Sequence, residues 1–290
     1  MLKWRVASAA AGLPLVVAGL WLGGWPLTAL VGVLAALGGL EWWRLVEGLL
    51  GYAASALARR LFFIGLIVII AISSLASGAG DGETALPPSA PLAWAALTIA
   101  LGFFVYALLW TLAAVFKKGG LPFAEGAALI AGWLYIGFAL AHWPALRRLG
   151  DVLPGVPWSP GPIMWAVAVV WAGDTAAYFA GRQWGRTPLA PHLSPKKTVE
   201  GAVAGLLCSL VTALLLYRWT GKAWPAAALA GLVVGVVGQL GDLWESALKR
   251  SAQVKDSGAL IPGHGGILDR FDGLLLAVPA AYYLLAWLPI

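Results

Sequence analysis

Apolar stretches long enough to cross a lipid bilayer recur along the whole chain. A membrane-spanning helix needs about 20 consecutive, mostly apolar residues. Nine stretches of this kind lie at roughly 5–23, 26–47, 61–77, 91–116, 122–145, 160–181, 199–219, 223–248 and 270–289. One water-soluble core cannot bury so much apolar surface. We therefore predict an all-α, polytopic integral membrane protein with about nine transmembrane helices.

The first stretch begins with Lys3 and Arg5, as a secretory signal does. It lacks a convincing cleavage site and a second apolar stretch follows at once, so it is predicted to be a membrane helix.

The composition agrees with a membrane protein. Hydrophobic residues make up 61% of the chain and charged residues 11%, whereas soluble domains are about half apolar and a quarter charged. The net charge of +6 is explained by basic loops facing anionic lipid headgroups, so no nucleic-acid partner is predicted. Cys208 is the one cysteine, which excludes a disulfide within the chain and a cysteine-based metal site.

Positive charge is distributed unevenly between the ends of these stretches. If the N-terminus is cytoplasmic and the chain crosses nine times, 15 of the 19 Lys and Arg residues lie on the cytoplasmic side. The four on the other side are Arg147, Arg148, Arg218 and Lys222. Since cytoplasmic loops are rich in Lys and Arg, we predict a multi-pass protein of the inner (cytoplasmic) membrane, with its C-terminus outside.

The two parts of the chain differ in their polar content. Residues 1–158 are predicted to form about five N-terminal spans with few polar groups inside them, and Glu41, Glu47 and Glu125 are expected to be solvated or structural. Residues 159–290 carry most of the polar groups at unusual depths, and are predicted to form a catalytic region of about four spans. GxxxG spacings at 201–205 and 231–235 indicate close helix packing there.

Residues 246–272 concentrate charge in a chain that has little of it. The run contains seven charged residues and one histidine: Lys249, Arg250, Lys255, Asp256, His264, Asp269, Arg270 and Asp272. Cations bind phosphate oxygens, carboxylates bind metal ions, and the glycine-rich turn at 262–266 lets backbone N–H groups approach an anion closely. The run indicates phosphate chemistry at a membrane, on its cytoplasmic face.

Two further polar groups precede this run. Asp174 lies inside the sixth stretch, where a bare carboxylate costs roughly 3 kcal/mol or more, so it should face protein, water or a cation; a structural hydrogen bond is the alternative. A predicted loop before the seventh stretch contains Ser194, Lys196, Lys197 and Thr198. It either caps and anchors that helix or binds phosphate at the helix N-terminus.

Carboxylates from two helices suggest a metal site. Asp242, Glu245 and Lys249 share one helical face, so Asp242 and Glu245 are expected to point the same way, toward the cytoplasmic opening. Asp269 and Asp272 lie three residues apart at the start of the ninth stretch. Oxygen ligands with few His and no Cys nearby suit Mg²⁺ better than Zn²⁺. Ion pairs between these acids and Lys249, Arg250 or Arg270 are the alternative.

These residues together resemble the hallmark of the CDP-diacylglycerol synthases, or phosphatidate cytidylyltransferases. From Ser246 to Asp272 the chain has Ser-x-x-Lys-Arg, Lys-Asp-x-Gly, Pro-Gly-His-Gly-Gly and Asp-Arg-x-Asp at the family's spacing. The upstream matches are Asp174-Thr175 with Tyr178, Ser194 to Thr198 with Glu200-Gly201, and Gly241-Asp242 with Glu245-Ser246. The motifs cover about 170–275. Gln253 stands where the family often has Gly, and Gly273 where Ser is common; neither change removes a charge.

The resemblance implies an Mg²⁺-dependent nucleotidyltransferase of phospholipid biosynthesis. It would convert CTP and phosphatidic acid into CDP-diacylglycerol and pyrophosphate, and it would form a homodimer. A phosphate monoester is largely ionised at pH 7, because its second pKa is about 6, so its attack needs no general base. This agrees with a cluster rich in cations and carboxylates.

The resemblance also implies a role for each residue. Asp242 and Asp269 would hold the metal, with Asp174, Glu245 and Asp272 as further candidates for ligands. Ser194, Lys196, Lys197 and Thr198 would bind the nucleotide phosphates. Lys249, Arg250 and Lys255 would bind the lipid phosphate or the pyrophosphate. His264 would donate a hydrogen bond to phosphate or stabilise its own turn. Whether a second, monovalent ion accompanies Mg²⁺ stays open.

Two other functions remain as alternatives. A CTP-dependent lipid-alcohol kinase would share the metal and the cations, but it needs a base for a neutral hydroxyl, for which His264 or Asp256 could serve. An ion-coupled membrane transporter also buries acids within helices. Transporters place such sites near the bilayer midplane and often within internal repeats, whereas here the charges collect at one face.

Overall fold

The computed structural model describes residues 2–78, 123–260 and 265–288, and this part of the chain is mostly helical. The helices are α1 (Leu2–Leu22), α2 (Gly24–Leu50), α3 (Ala56–Ala76), α4 (Phe123–Val152), α5 (Gly161–Trp184), α6 (Val199–Leu215), α7 (Trp224–Ser251) and α8 (Leu268–Trp287). Two short antiparallel strands, β1 (Pro188–Ala190) and β2 (Ser194–Thr198), form a hairpin between α5 and α6.

Five of these helices, α2, α3, α4, α5 and α7, are long and apolar enough to cross a membrane. The segment Gly12–Leu22 of α1 and the whole of α6 are shorter apolar helices. The chain is therefore a multi-pass membrane protein. The fourth predicted stretch, 91–116, lies outside the described residues, so the count of nine spans stays a prediction.

Local sequence explains several of the helix ends. Gly51 ends α2 in the left-handed conformation, at φ 73°, which glycine adopts without a Cβ clash. The hydroxyl of Ser55 caps α3 by accepting from the N–H of Ala58 at 3.2 Å. Thr198 caps α6 in the same way, accepting from Gly201 at 3.2 Å, as the sequence predicts.

Small residues bring the C-terminal helices into backbone contact. A Cβ atom added to Gly201 would lie 2.7 Å from the carbonyl oxygen of Ala177 in α5, and one on Gly235 would lie 2.8 Å from the Cβ atom of Ser209 in α6. One on Gly241 would lie 2.6 Å from the carbonyl oxygen of Asp272 in α8. The predicted close packing at both GxxxG spacings is confirmed, and it joins α5, α6, α7 and α8 into one bundle.

Helix α4 links this bundle to the N-terminal helices. Its middle turn, Trp133–Phe138, is π-helical, and the indole N–H of Trp133 donates to the carbonyl of Phe62 in α3 at 2.9 Å. The C-terminal part of α4 packs against α8, where the rings of Trp143 and Phe271 lie 5.8 Å apart. The predicted division between residues 158 and 159 stays a prediction.

The helix ends collect at two opposite faces. At one, the tryptophan face, the ring of Trp158 lies 4.9 Å from the rings of both Trp21 and Trp219, and Lys222 donates to the carbonyl of Leu288 at 2.7 Å. The hairpin and the polar loop after α7 lie together at the other face, which we call the hairpin face. There the guanidinium of Arg250 donates to the carbonyl of Leu193 at 3.1 Å.

Candidate active site

A cavity of about 1060 Å³ lies between the N-terminal helices and the C-terminal bundle. One wall is apolar and comes from α1 and α2. Its residues include Leu13, Val16, Leu30, Val33, Leu34 and Leu37. The other wall is polar and comes from the hairpin, α5, α7 and α8. Of the residues predicted for the site, Asp174, Lys196, Lys197, Thr198, Asp242, Asp269 and Asp272 line it. The cavity thus offers an apolar and a charged surface to the same ligand.

The segment expected to be a loop before α6 is strand β2. Thr198 pairs with Pro188 and Ser194 with Ala190, which corrects the predicted loop. The hairpin is held to α6 by Glu200, whose carboxylate accepts the backbone N–H groups of Arg186 and Thr187, each at 3.1 Å. The strand directs Lys196, Lys197 and Thr198 to the cavity wall, whereas Ser194 is not part of that wall.

Lys197 pairs with Asp242 on the polar wall of the cavity. Its ammonium nitrogen lies 2.6 Å from Oδ2 of the carboxylate, and the two side chains are 27% and 34% exposed. Asp174 on α5 is exposed at the same wall, and its carboxylate is close enough to be repelled by Asp242 and attracted by Lys197. Charges from β2, α5 and α7 therefore meet at one point.

Asp269 lies in the first turn of α8 and is almost fully hydrogen-bonded. Lys249 donates to its Oδ1 at 2.6 Å. Its Oδ2 accepts the backbone N–H groups of Ser257 at 3.0 Å and Gly266 at 2.8 Å, and lies 2.9 Å from the Ser257 hydroxyl. Such a carboxylate is fixed in one orientation, because every rotation breaks several contacts.

Glu245 is buried beneath this cluster. It is fully inaccessible to solvent, and its nearest cation is Lys249, whose ammonium nitrogen lies 3.3 Å from Oε2 of the carboxylate. The prediction that Asp242 and Glu245 point together toward the opening is wrong, since only Asp242 lines the cavity. Residues three apart on a helix are about 60° apart around its axis, which suffices to turn one inward.

The carboxylates interact electrostatically without forming a metal cage of their own. Asp272 is repelled by both Asp242 and Glu245. In the described ranges, no group of three or more His, Cys, Asp or Glu side chains is arranged to hold a metal ion. The alternative drawn from the sequence, ion pairing of these acids with neighbouring cations, occurs in the structure at Lys249, which pairs with Glu245 and Asp269. The pair Lys197–Asp242 was not predicted.

Three predicted phosphate-binding cations lie away from the cavity wall. Lys249 is only 12% exposed and is engaged by Glu245 and Asp269. Arg250 donates to the carbonyls of Leu193 and Val254. Lys255 is exposed in the loop after α7. Phosphate contact by Lys249 or Arg250 thus requires an exchange of partners. His264 lies outside the described residues.

A family model decides what kind of protein this is. The model of the cytidylyltransferase family matches residues 3–288. The chain belongs to the cytidylyltransferase family.

Named relatives of this cytidylyltransferase agree with that assignment. A phosphatidate cytidylyltransferase of Synechocystis sp. is 34% identical over 96% of the chain and 94% of its own length. Phosphatidate cytidylyltransferases of Bacillus subtilis and Staphylococcus haemolyticus are 41% and 37% identical, each over 59% of the chain. The chain covers 62% and 63% of these two proteins, less than two thirds of either.

Sequence reasoning did not assign four residues to the candidate site. Arg182 and Gln239 line the cavity, and Gln239 also donates to the carbonyl of Ala202 at 3.0 Å, which holds α7 to α6. Glu41 and Ser257 lie behind Asp269, and both are about 1% exposed. The signal that could have revealed Glu41 is its position within an apolar stretch, where a carboxylate must have partners.

Proposed function

We propose that this chain is a phosphatidate cytidylyltransferase, which converts CTP and phosphatidic acid into CDP-diacylglycerol and pyrophosphate. The observation that carries this proposal is the two-sided cavity. Its apolar wall on α1 and α2 suits acyl chains, and its charged wall suits polyphosphate. Leu13 and Val33 line it and are about half exposed, at 48% and 55%, so this wall leaves apolar surface free for an acyl chain.

The proposed reaction needs positioning and charge compensation more than proton transfer. A phosphate oxygen of phosphatidic acid attacks the α-phosphorus of CTP, a new P–O bond forms, and the bond from the α-phosphorus to the oxygen bridging it to the β-phosphorus breaks. The electron pair leaves with pyrophosphate. The nucleophile is already ionised near pH 7, so the polar wall has only to hold two polyanions together.

Lys196 and Lys197 are placed to hold the nucleotide phosphates. Both precede α6, whose first N–H groups and helix dipole favour an anion at the same place. Thr198 already caps this helix through the N–H of Gly201, so its role toward phosphate is to hold the hairpin against the helix start. Lys197 would exchange Asp242 for a phosphate oxygen when the nucleotide binds.

The same residues fit a divalent cation. Asp242 repels both Asp174 and Asp272, and Glu245 also repels Asp272, which favours a cation nearby. Mg²⁺ commonly binds through one or two carboxylates, with water and substrate phosphates as its other ligands. Asp242, with Asp174, Asp272, Glu245 or Asp269, would hold it. Bound there, Mg²⁺ would offset the charge of the phosphates.

We further propose that the hairpin face is cytoplasmic and that the protein lies in the inner membrane of a bacterial cell. The 15-to-4 distribution of Lys and Arg supports this orientation, as does the need for CTP. A homodimer stays a prediction of the resemblance. The glycines at 201, 205, 231 and 235 pack within one chain and therefore do not point to a second copy.

A labelling experiment separates the candidate functions. Purified protein in detergent is supplied with dioleoyl phosphatidic acid, Mg²⁺ and CTP carrying the label at either the α- or the γ-phosphate. A cytidylyltransferase transfers the α-label to lipid and releases the γ-label as pyrophosphate. A lipid-alcohol kinase, offered diacylglycerol or a polyprenol, transfers the γ-label instead. A transporter transfers neither, and either of the last two results would contradict the proposal.

A further inference from the structure

Glu41 connects the N-terminal helices to the polar loop of the candidate site. It lies on α2, 1% exposed, yet its carboxylate reaches the start of α8. Oε1 accepts the N–H of Ile267 and Oε2 accepts the N–H of Leu268, both at 2.9 Å. Oε2 also lies 3.1 Å from the hydroxyl of Ser257. These three contacts fix the orientation of the buried Glu41 carboxylate.

These contacts replace an ordinary helix cap. Ile267 stands at the N-cap position of α8 and has no side chain that could cap it. The first N–H groups of a helix need acceptors when they are buried, and Glu41 supplies them from a different helix. Because Asp269 lies in this same first turn, the position of its carboxylate depends on α2.

Ser257 extends the connection from Glu41 to Asp269 itself. Its hydroxyl lies 3.1 Å from the Glu41 carboxylate and 2.9 Å from the Asp269 carboxylate, so it is within hydrogen-bonding distance of both. Gly258 and Gly266 pack directly on the Glu41 carboxyl group, where an added Cβ would clash with it. Residues 257, 258 and 266 are therefore packed around this side chain.

We propose that Glu41 is a positioning residue, which fixes the start of α8 and, through Ser257, the orientation of the Asp269 carboxylate. Glu41 does not line the cavity, so it acts through Asp269 and not by touching a substrate. The catalytic part of this inference rests on the proposed function. The structural part, that Glu41 holds residues 257 and 266–269 in place, can be tested without it.

The test compares Glu41→Gln with Glu125→Gln. Glu125 is equally buried, at 2% exposed, and its carboxylate binds Ser55 at the start of α3, away from the cavity. Glutamine at 41 faces two N–H groups with a side chain that has only one acceptor oxygen. We expect kcat to fall about 100-fold, the cost typical of a displacement of about 1 Å. The KM for CTP should change less than about 2-fold, since the Glu41→Gln substitution leaves the hairpin and Lys197 in place.

Amide hydrogen exchange gives a readout that does not depend on turnover. In Glu41→Gln, the amides of Ser257, Gly266, Ile267 and Leu268 should exchange faster than in wild type, while those of the hairpin keep their rates. Glu125→Gln should leave all of them unchanged. If wild type makes no CDP-diacylglycerol, the proposed function fails, and the exchange data still decide whether Glu41 orders this segment.

A second variant decides the matter if Glu41→Gln does not fold. Ser257→Ala keeps the caps on Ile267 and Leu268 but removes the bridge to Asp269, so kcat should fall by about 10-fold at an unchanged KM for CTP. The double variant should be hardly worse than Glu41→Gln, because residues that act as a unit are not additive. The proposal would be overturned if Glu41→Gln and Glu125→Gln had the same kcat and the same amide exchange rates. Normal turnover of Ser257→Ala would overturn it as well.

Discussion

Asp242 and Asp269 are both carboxylates of the polar wall, but their surroundings differ. Asp242 is one-third exposed and has Lys197 as its one ion-pair partner among the described residues. Asp269 is 6% exposed and bonded to Lys249, Ser257 and Gly266. An exposed ion pair contributes up to about 1 kcal/mol to stability, whereas removing one partner of a buried pair costs roughly 3–5 kcal/mol. Loss of charge should therefore have different consequences at the two positions.

The first prediction follows from this contrast. Asp242→Asn and Asp269→Asn should each reduce CDP-diacylglycerol formation below about 1% of wild type, because a charge that offsets or organises the phosphates is lost. The midpoint of thermal unfolding in detergent should fall clearly for Asp269→Asn and hardly at all for Asp242→Asn. Turnover and unfolding are measured on the same preparations.

Higher Mg²⁺ should not restore either variant fully, and the double variant should be little worse than each single one. Substantial turnover in Asp242→Asn would remove that residue from the proposed metal site.

Gln253 supports a second prediction at the residue scale. It has φ 56°, the left-handed region, which costs a non-glycine residue about 1–2 kcal/mol. The same position often carries Gly in the proteins that the sequence resembles. Gln253→Gly should raise the free energy of unfolding by about 0.5–1 kcal/mol, the strain relief being offset in part by chain entropy. Gln253→Ala keeps the Cβ atom and should bring no such gain; a similar gain from alanine would mean that strain is not the cause.

At the scale of elements, the sequence predicts the helices well and the hairpin not at all. The stretch expected at 160–181 is Gly161–Trp184 and that at 223–248 is Trp224–Ser251, because an apolar segment in a bilayer must satisfy its backbone within itself. Strands of three and five residues have no such periodic signal. Ser194–Thr198 therefore looked like a loop, although its cap on α6 was predictable from Thr198.

The candidate site was predictable where local spacing defines it and not where distant segments meet. The hallmark between 246 and 272 is continuous, so Asp269 and Asp272 could be grouped from the sequence, and Asp242 joins them because it lies just upstream on the helical face of Lys249. The contact between Glu41 and Leu268 joins residues 227 positions apart, and no local pattern specifies it. The engagement of Lys249 by Glu245 likewise depends on burial, which a helical-face argument does not provide.

A third prediction concerns the contact between α5 and α6. A Cβ on Gly205 would lie 2.9 Å from the carbonyl oxygen of Gly173 and 3.0 Å from Nε2 of Gln239, so the helices must separate. Gly205→Ala should lower the free energy of unfolding by about 1–3 kcal/mol and reduce activity, because Asp174 lies one residue beyond the contact.

Gly32→Ala on α2 is the matched control for that substitution. A Cβ there meets no atom within 4 Å, and alanine favours a helix over glycine by about 0.5–1 kcal/mol. It should be neutral or stabilising in the same unfolding measurement. If both substitutions changed the free energy of unfolding equally, the close packing at Gly205 would not be the cause of the destabilisation.

At the scale of the whole molecule, a fourth prediction tests the orientation of the two faces. In a Cys208→Ala background, His192→Cys places a thiol on the hairpin face and Pro157→Cys places one on the tryptophan face, both at exposed positions. An impermeant thiol reagent added to intact cells should label position 157 and not 192, with a C-terminal tag accessible from the same side as 157. Opening the cells should expose position 192.

Labelling of both positions from one side would contradict a membrane passage of α5, which lies between them. Labelling of 192 alone would show that the protein is inserted in the reverse orientation.

The two-sided cavity has a consequence for how the rate of such a protein must be described. Under the proposed function, the lipid reactant reaches the apolar wall by lateral diffusion in the bilayer, so its effective concentration is a mole fraction in the membrane surface. The nucleotide binds from the aqueous phase, so its effective concentration is its bulk molar concentration. Dilution of phosphatidic acid with inert detergent or lipid should therefore slow turnover at constant bulk concentration. Diluting the whole suspension at fixed CTP should leave the rate per molecule unchanged.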